Sequence, residues 1–311
     1  GIGAILTAFF NGMENSADIQ SLCLGCERCK DFCPGKINIP RLISELRARV
    51  TRQKGLPLSH RIILKNVLTN RKLFHGLLRA AKVAQKPFVS EGTIRHLPFF
   101  LAGLESAKNL PAIAEKPLRD RFKKAGGKVA LKNPRPRAGL FAGCLTDFVY
   151  PEIGESMAKV LEHMGCEVVF PEGQTCCGYP ARQMGAPEVM ADLARHNLEA
   201  FEAEKVDYII TPCPTCTHSL KNIYRELFAK DPDFCLRAEE MAKKVHDFSE
   251  FVYNQDAEKK TKLKLKLKSL NKKITYHDSC HLKRSLGITE EPRELLKMAG
   301  AELVEMAFAD R

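Results

Sequence analysis

The chain has 311 residues, 44% of them hydrophobic and 28% charged, the balance of a globular protein with room for about two domains and a sizeable core. Its longest apolar run, 2–10, is broken by Gly3 and Thr7; that is too short for the roughly 20 residues of a membrane span and lacks the basic flank and cleavage site of a secretory signal. The formal net charge of +12 suits nucleic acid, anionic lipid or an acidic partner, but no aromatic interleaving or nucleic-acid motif supports the first, and thiolate-bound metal would lower the real charge.

Gly1 stands where a methionine would begin a chain, so a fragment or a processed product is expected. Twelve cysteines without an export signal point to a reducing, cytoplasmic setting, where patterned cysteines mean metal or catalysis rather than disulfides. After the apolar patch 2–10 and an Asn11-Gly12 turn signal, 23–36 reads CLGCERCKDFCPGK: Cys23, Cys26, Cys29 and Cys33, then Pro34. This is the ferredoxin-type spacing for a cubane [4Fe–4S] cluster; a zinc knuckle is the alternative. In two-cluster ferredoxins the fourth cysteine of such a run serves the other cluster. Cys33 therefore either completes its own cluster or serves a second run absent from this chain.

Pro40 suits the first turn of a helix over 40–50, with Leu42, Ile43 and Leu46 on one face. Short helices are predicted over 58–70, 71–84 and 99–108, without a chemical motif; His60, His75 and His96 read as surface or packing residues. Residues 111–137 form a linker rich in Pro, Gly, Lys and Arg, with eight basic residues and one acid, Asp120, from Arg119 to Arg137; it reads as a solvated connector in preference to a docking strip for an acidic partner or a membrane surface. These breaks divide the chain into 1–57, a ferredoxin-like [4Fe–4S] segment; 58–137, a helical region with basic linker; and 138–311, an α/β domain.

That last domain alternates strands (138–143, 166–170, 207–211) with helices (151–164, 187–205, 217–228), the pattern of a parallel sheet. Its cysteines follow the strands: Cys144, then Cys176-Cys177 in TCCGYP, then Cys213 and Cys216 in TPCPTC, with gaps of 31 residues before the doublet and 35 after it. Carboxyl ends of strands are where such sheets bind ligands. Thiolates suit zinc or iron–sulfur clusters, and five converging thiolates exceed a tetrahedral zinc. Gly178 permits a turn that a side chain would hinder. The isolated Cys166 and Cys235 read as small buried hydrophobes. The period-two Lys/Leu stretch within 254–273 suggests an edge strand or a solvated insertion. A strand (273–277), Cys280 flanked by His277 and His281, a helix (291–299) and a strand (302–306) then repeat the order of the first half, without its CC and CPxC elements; the histidine pair reads as loop packing.

Cys144-x31-Cys176-Cys177-Gly178-x34-Cys213-x2-Cys216 resembles the cysteine-rich CCG domain of heterodisulfide reductase and of the glycolate oxidase, anaerobic glycerol-3-phosphate dehydrogenase and lactate-utilisation iron–sulfur proteins. The resemblance implies that Cys144, Cys176, Cys177, Cys213 and Cys216 hold a second [4Fe–4S] cluster, non-cubane as in heterodisulfide reductase. YHDSCHLKRSLGITEEPRELL is similar to the opening of the family's second repeat, which makes Cys280 a further candidate ligand, an orphan where the next CC pair is missing. GIGAILTAFFNG with SLCLGCERCKDFCPGKINI is similar to the lactate-utilisation proteins, and implies an electron-transfer subunit of a 2-hydroxyacid, most often lactate, oxidation complex. No G-x-G-x-x-G fingerprint appears between a strand and a helix, so substrate oxidation is expected on a flavin- or substrate-binding partner subunit, with a quinone or other acceptor and peripheral contact with the cytoplasmic membrane face. The alternatives are a glycolate or glycerol-3-phosphate dehydrogenase subunit, a heterodisulfide-reductase-like thiol/disulfide enzyme and, in another class, a structural zinc protein binding nucleic acid through 119–137.

Overall fold

The structure, a computed structural model, describes residues 2–90, 92–94, 110–125, 135–257 and 269–307. Its centre is a four-stranded parallel sheet: β1 Arg137–Leu140, β2 Glu167–Val169, β3 Tyr208–Thr211 and β4 Val245–Asp247, in the order β2-β1-β3-β4. Register is fixed by Gly139 opposite Val169 and Ile209, and by Ile210 opposite His246. Both faces are covered, so β1 and β3 carry buried residues in succession, Ala138–Leu140 and Ile209–Thr211. Successive residues point to opposite faces. Ile209 packs with Leu198, Leu220 and Tyr224 on one face, while Ile210 packs with Leu140, Leu161 and Phe251 on the other. Each such fully buried side chain contributes about 1.5–3 kcal/mol.

Helices Pro187–Ala203 and Pro232–Lys244 cover the first face, with a helical run from Pro214 to Leu227 whose middle, Ser219–Ile223, is a wide π turn. Helices Leu118–Ala125, Pro151–His163 and Phe248–Ala257 cover the second. The predicted 138–143 strand ends early. Ala142 N–H leaves the ladder for Gln174 Oε1 (2.9 Å), and helix Gly143–Phe148 begins one residue before Cys144. β4 and its two flanking helices were not predicted. The Lys/Leu stretch lies mainly, and the 99–108 helix and His96 wholly, outside the described residues.

The expectation of a solvated connector over 111–137 is corrected for its first part. Leu118 is fully buried, and the Arg119 guanidinium pairs with the buried Asp147 carboxylate (Nε 2.6 Å, Nη2 2.5 Å) while lying over the Phe148 ring. Charge there is spent on anchoring a helix; residues 126–134 lie outside the described set.

At the amino end, Ile2–Asn11 and Ile39–Lys54 pack through Ala4, Leu46 and Val50. Asn38 caps the second helix by accepting from Arg41 N–H (3.2 Å), and Pro40 sits in its first turn as predicted. Leu58–Ile62 runs into a π turn, Ile63–Leu68, followed by Arg71–Ala84. At the carboxyl end, Lys273–Ile274 and Glu302–Leu303 form a separate two-stranded parallel sheet joined through helix Glu290–Met298, the strand–helix–strand order expected of a second repeat.

Candidate metal centre

Three loops at the carboxyl ends of adjacent strands bring the five cysteines of the α/β domain together. Cys144 lies in the first turn of the helix after β1, Cys176-Cys177 in the loop after β2, and Cys213 caps the helix after β3 that carries Cys216. The thiols lie close enough to act on one another's protonation in the order Cys144, Cys176, Cys177, Cys216, Cys213. A side chain at Gly143 would reach within 3.0 Å of Cys216 Sγ, which shows how closely the first and third loops approach. Cys176, Cys177 and Cys216 are buried, at 7%, 3% and 6% exposure.

The electrostatics alternate along this series. Hydrogen bonds from Cys176 and Cys216 hold the Cys177 thiol well below the ordinary range, helped by the Tyr179 backbone N–H and Ser219. Cys144 is lowered by its bond from Cys176, and Cys213 by its bond from Cys216. The two donors, Cys176 and Cys216, are pushed up by the same bonds. Gly178 N–H lies 3.4 Å from Cys176 Sγ, and Gly178 takes φ +83°, the left-handed turn expected after the doublet. All the donors are soft, and the set holds no carboxylate. Among the described residues, no three Cys, His, Asp or Glu side chains surround one ion-sized point. In chemistry and number this donor set fits a polynuclear iron–sulfur group better than a single ion.

The doublet is held from beneath by a polar strut that the sequence reading missed. Asn197, fully buried, accepts from Thr175 N–H (2.7 Å) and donates to Cys176 C=O (3.0 Å), while Tyr224 hydroxyl donates to Cys177 C=O (3.1 Å). The available signal was an asparagine between Ala194, Leu198 and Phe201 on the apolar face of a helix. The middle helices, read as lacking a motif, cover the outer edge: Leu64 packs with Cys176, and Leu68 and Cys144 adjoin the same cluster. A narrow crevice lined by Arg71, Phe74, His75 and Arg119 reaches Cys144 and Cys176. Burial, then the charge of Arg119, pushes His75 down to about 4, so it is neutral there, packed at 5.2 Å from the Phe148 ring.

In the first run, burial and then the charge of Cys23 raise the Cys29 thiol, with Cys26 adding to the effect; these three sulfurs share one electrostatic environment. Cys33 sits half-buried past the Arg28–Asp31 turn. The run packs against the α/β domain. Arg47, 5% exposed, donates to Cys23 C=O (3.0 Å) and to Gln183 C=O (2.7 Å). His218 Nε2 lies 3.4 Å from Glu27 Oε1; burial, followed by His281, pushes the imidazole down to about 3, making this a neutral contact rather than an ion pair.

Cys280 stays outside the five-thiol series but acts electrostatically on Tyr179, whose hydroxyl is pushed up to about 12 chiefly by burial. His281 is 4% exposed and fully hydrogen-bonded, as the loop-packing reading expects. Cys166 is buried against Met164 and Leu161, while Cys235 is half-buried at the edge of the other core.

A family model of the CCG cysteine-rich domain matches residues 138–221 and again 274–311. The chain is 31% identical over 322 aligned positions to the probable glycolate oxidase iron-sulfur subunit of Bacillus subtilis, covering 99% of this chain and 70% of that protein. It is 38% identical to lactate utilization protein A of Exiguobacterium over 55% of this chain and 68% of that protein, and 40% identical to that of Shouchella clausii over 54% and 67%. With two matched repeats and a relative aligned along nearly its whole length, the chain belongs to the family of cysteine-rich CCG-domain iron–sulfur oxidoreductase subunits.

Proposed function

We propose that this chain is the iron–sulfur electron-transfer subunit of a complex that oxidises a 2-hydroxyacid, with lactate as the favoured substrate and glycolate as the alternative. The observation that carries the reading is the convergence of five thiols from three strand ends; the names of the relatives, lactate utilization protein A and glycolate oxidase iron-sulfur subunit, supply the substrate class. Cys23, Cys26, Cys29 and Cys33 would hold a cubane [4Fe–4S] cluster in a ferredoxin-like segment, 1–57. Cys144, Cys176, Cys177, Cys213 and Cys216 would hold a second [4Fe–4S] cluster, of the non-cubane type, in the domain 138–311. When bound, these groups take up and pass on single electrons.

The chain's own residues set the conditions for that transfer. Leu64 and Leu68 pack over part of the Cys144–Cys176 edge. The Gly178 N–H aimed at Cys176 Sγ, and the Tyr179 N–H that favours Cys177 thiolate, are donors of the kind that tune cluster potentials. The hydroxyacid would be oxidised on a partner dehydrogenase subunit carrying flavin, with a quinone as the onward acceptor at the membrane surface; no helix among the described residues is long and apolar enough to cross a membrane. Anaerobic purification followed by iron and acid-labile sulfide analysis tests the reading. Roughly eight irons per chain are expected for two [4Fe–4S] clusters; zinc without sulfide would overturn it.

A further inference from the structure

We propose that the second-repeat motif around Cys280 serves as a clasp between the two cysteine sites, with the His281 imidazole as the positioning residue that fixes the 23–29 loop against the CCGYP and CPTC loops. Three backbone carbonyls of the first loop are each taken by a side chain from elsewhere in the fold. Arg47 Nη2 donates to Cys23 C=O (3.0 Å), His281 Nε2 to Gly25 C=O (3.2 Å) and Arg284 Nη1 to Cys26 C=O (3.2 Å). Two of these donors lie more than 250 residues along the chain from the carbonyls they meet, at separations of 256 and 258, on the π turn that follows Cys280. Arg284 also reaches Asp31 (3.6 Å).

His281 touches all three ligand loops at once. A carbonyl only accepts, so Nε2 carries the proton toward Gly25 and Nδ1 is left to accept from Thr215 Oγ1 at 2.9 Å. Thr215 lies between Cys213 and Cys216. The Tyr179 hydroxyl, two residues after Cys177, lies 3.1 Å from the same Nε2. The ring is fixed on both sides, edge-on to Tyr179 at 5.0 Å and stacked on His218 at 5.2 Å. Gly25 makes the approach feasible: it takes φ +68°, and a Cβ there would collide with the Tyr179 hydroxyl. A single buried side chain with two directional bonds and two ring contacts holds its neighbours more tightly than packing alone. The role also needs no cluster at Cys280; it uses the residues beside it.

The consequence for electron passage rests on the proposed function, because tunnelling falls steeply with separation; the clasp itself does not. The test uses the full chain, purified anaerobically, as wild type, His281→Leu and His281→Gln, the last keeping an amide donor for Gly25. Hydrogen exchange of backbone amides 22–30 is read by mass spectrometry, and the magnetic interaction between the two reduced centres by electron paramagnetic resonance. His281→Leu should speed exchange in 22–30 by about fivefold to tenfold, the equivalent of one net hydrogen bond, and weaken the magnetic interaction; His281→Gln should restore both in large part. Arg284→Ala, at a less buried position, should loosen the same amides if His281→Leu does not fold. Unchanged exchange across 22–30 in the folded variant overturns the clasp, whatever the iron content. A wild type without iron and sulfide overturns the electron-transfer reading while leaving the exchange result to decide the clasp.

Discussion

Replacing Asn197 by alanine tests whether the cysteine doublet depends on the polar strut beneath it. The side chain is fully buried, and its loss removes the acceptor of Thr175 N–H (2.7 Å), the acceptor of Thr175 Oγ1 (3.2 Å) and the donor to Cys176 C=O (3.0 Å). Thr175 N–H then has no partner, while Cys176 C=O keeps only a long contact from Thr175 Oγ1 (3.3 Å). One orphaned group at about 1–3 kcal/mol and two lost net bonds at about 0.5–1.5 kcal/mol each give roughly 2–6 kcal/mol. The Tyr224 hydroxyl loses the bond it accepts from Asn197 Nδ2 (3.0 Å) but still donates to Cys177 C=O. Urea unfolding of the anaerobic protein, with iron content measured alongside, reads the effect. Leu198→Ala, fully buried on the same helix, provides a packing control of about 2–5 kcal/mol, and the exposed Glu199→Ala a surface control within about 0.5 kcal/mol. Asn197→Ala should lose as much stability as many packing variants and lose more iron than Leu198→Ala. A cost below about 1 kcal/mol with iron retained would refute the reasoning, since the loop would then hold its shape without the strut.

Cys177→Ala should remove the paramagnetic signal of the α/β site and keep that of the 23–33 run, whereas Cys26→Ala should do the reverse; loss of both signals in either variant would show that the sites are not separate. Arg119→Ala leaves the Asp147 carboxylate, 1% exposed, buried without its partner and should cost about 3–5 kcal/mol in urea, with Arg119→Leu/Asp147→Leu recovering most of it. The Glu250 carboxyl is pushed up by burial, but its bond to His246 and the charge of Lys221 outweigh that and hold it below the ordinary range. Its contribution to stability is therefore present above roughly pH 4.3 and fades as pH falls through the folded-state value. Glu250→Gln should accordingly be destabilising at pH 7 and close to neutral at pH 3, which unfolding at both pH values would check.

Period and punctuation made much of the α/β domain legible. Pro151 and Pro187 open their helices where proline belongs, and the apolar run at Tyr208–Thr211 is a strand buried on both faces. The cysteine cluster was legible because its thiols sit at strand ends, where sheet topology itself brings them together. β4 escaped because Val245–Asp247 offers one buried apolar residue beside a histidine and an aspartate; its strand character comes from pairing with β3, which local sequence does not encode. Arg119 looked like one more cation in a basic stretch, and only the fold reveals Asp147 facing it. Asn197 and His281 were hidden for a related reason: each gains its meaning from partners 21 to 256 residues away. A polar residue on an apolar helix face marks such a position without naming its partner.

The depth at which the thiols lie limits how a group can reach them. With Cys177 only 3% exposed and the Leu64 segment laid over the outer edge, the way in to the thiols narrows to the crevice that reaches Cys144 and Cys176. A group bound there would have to pass that crevice or arrive before the cover settles, so a substitution that narrows the crevice should yield an intact protein that is harder to fill.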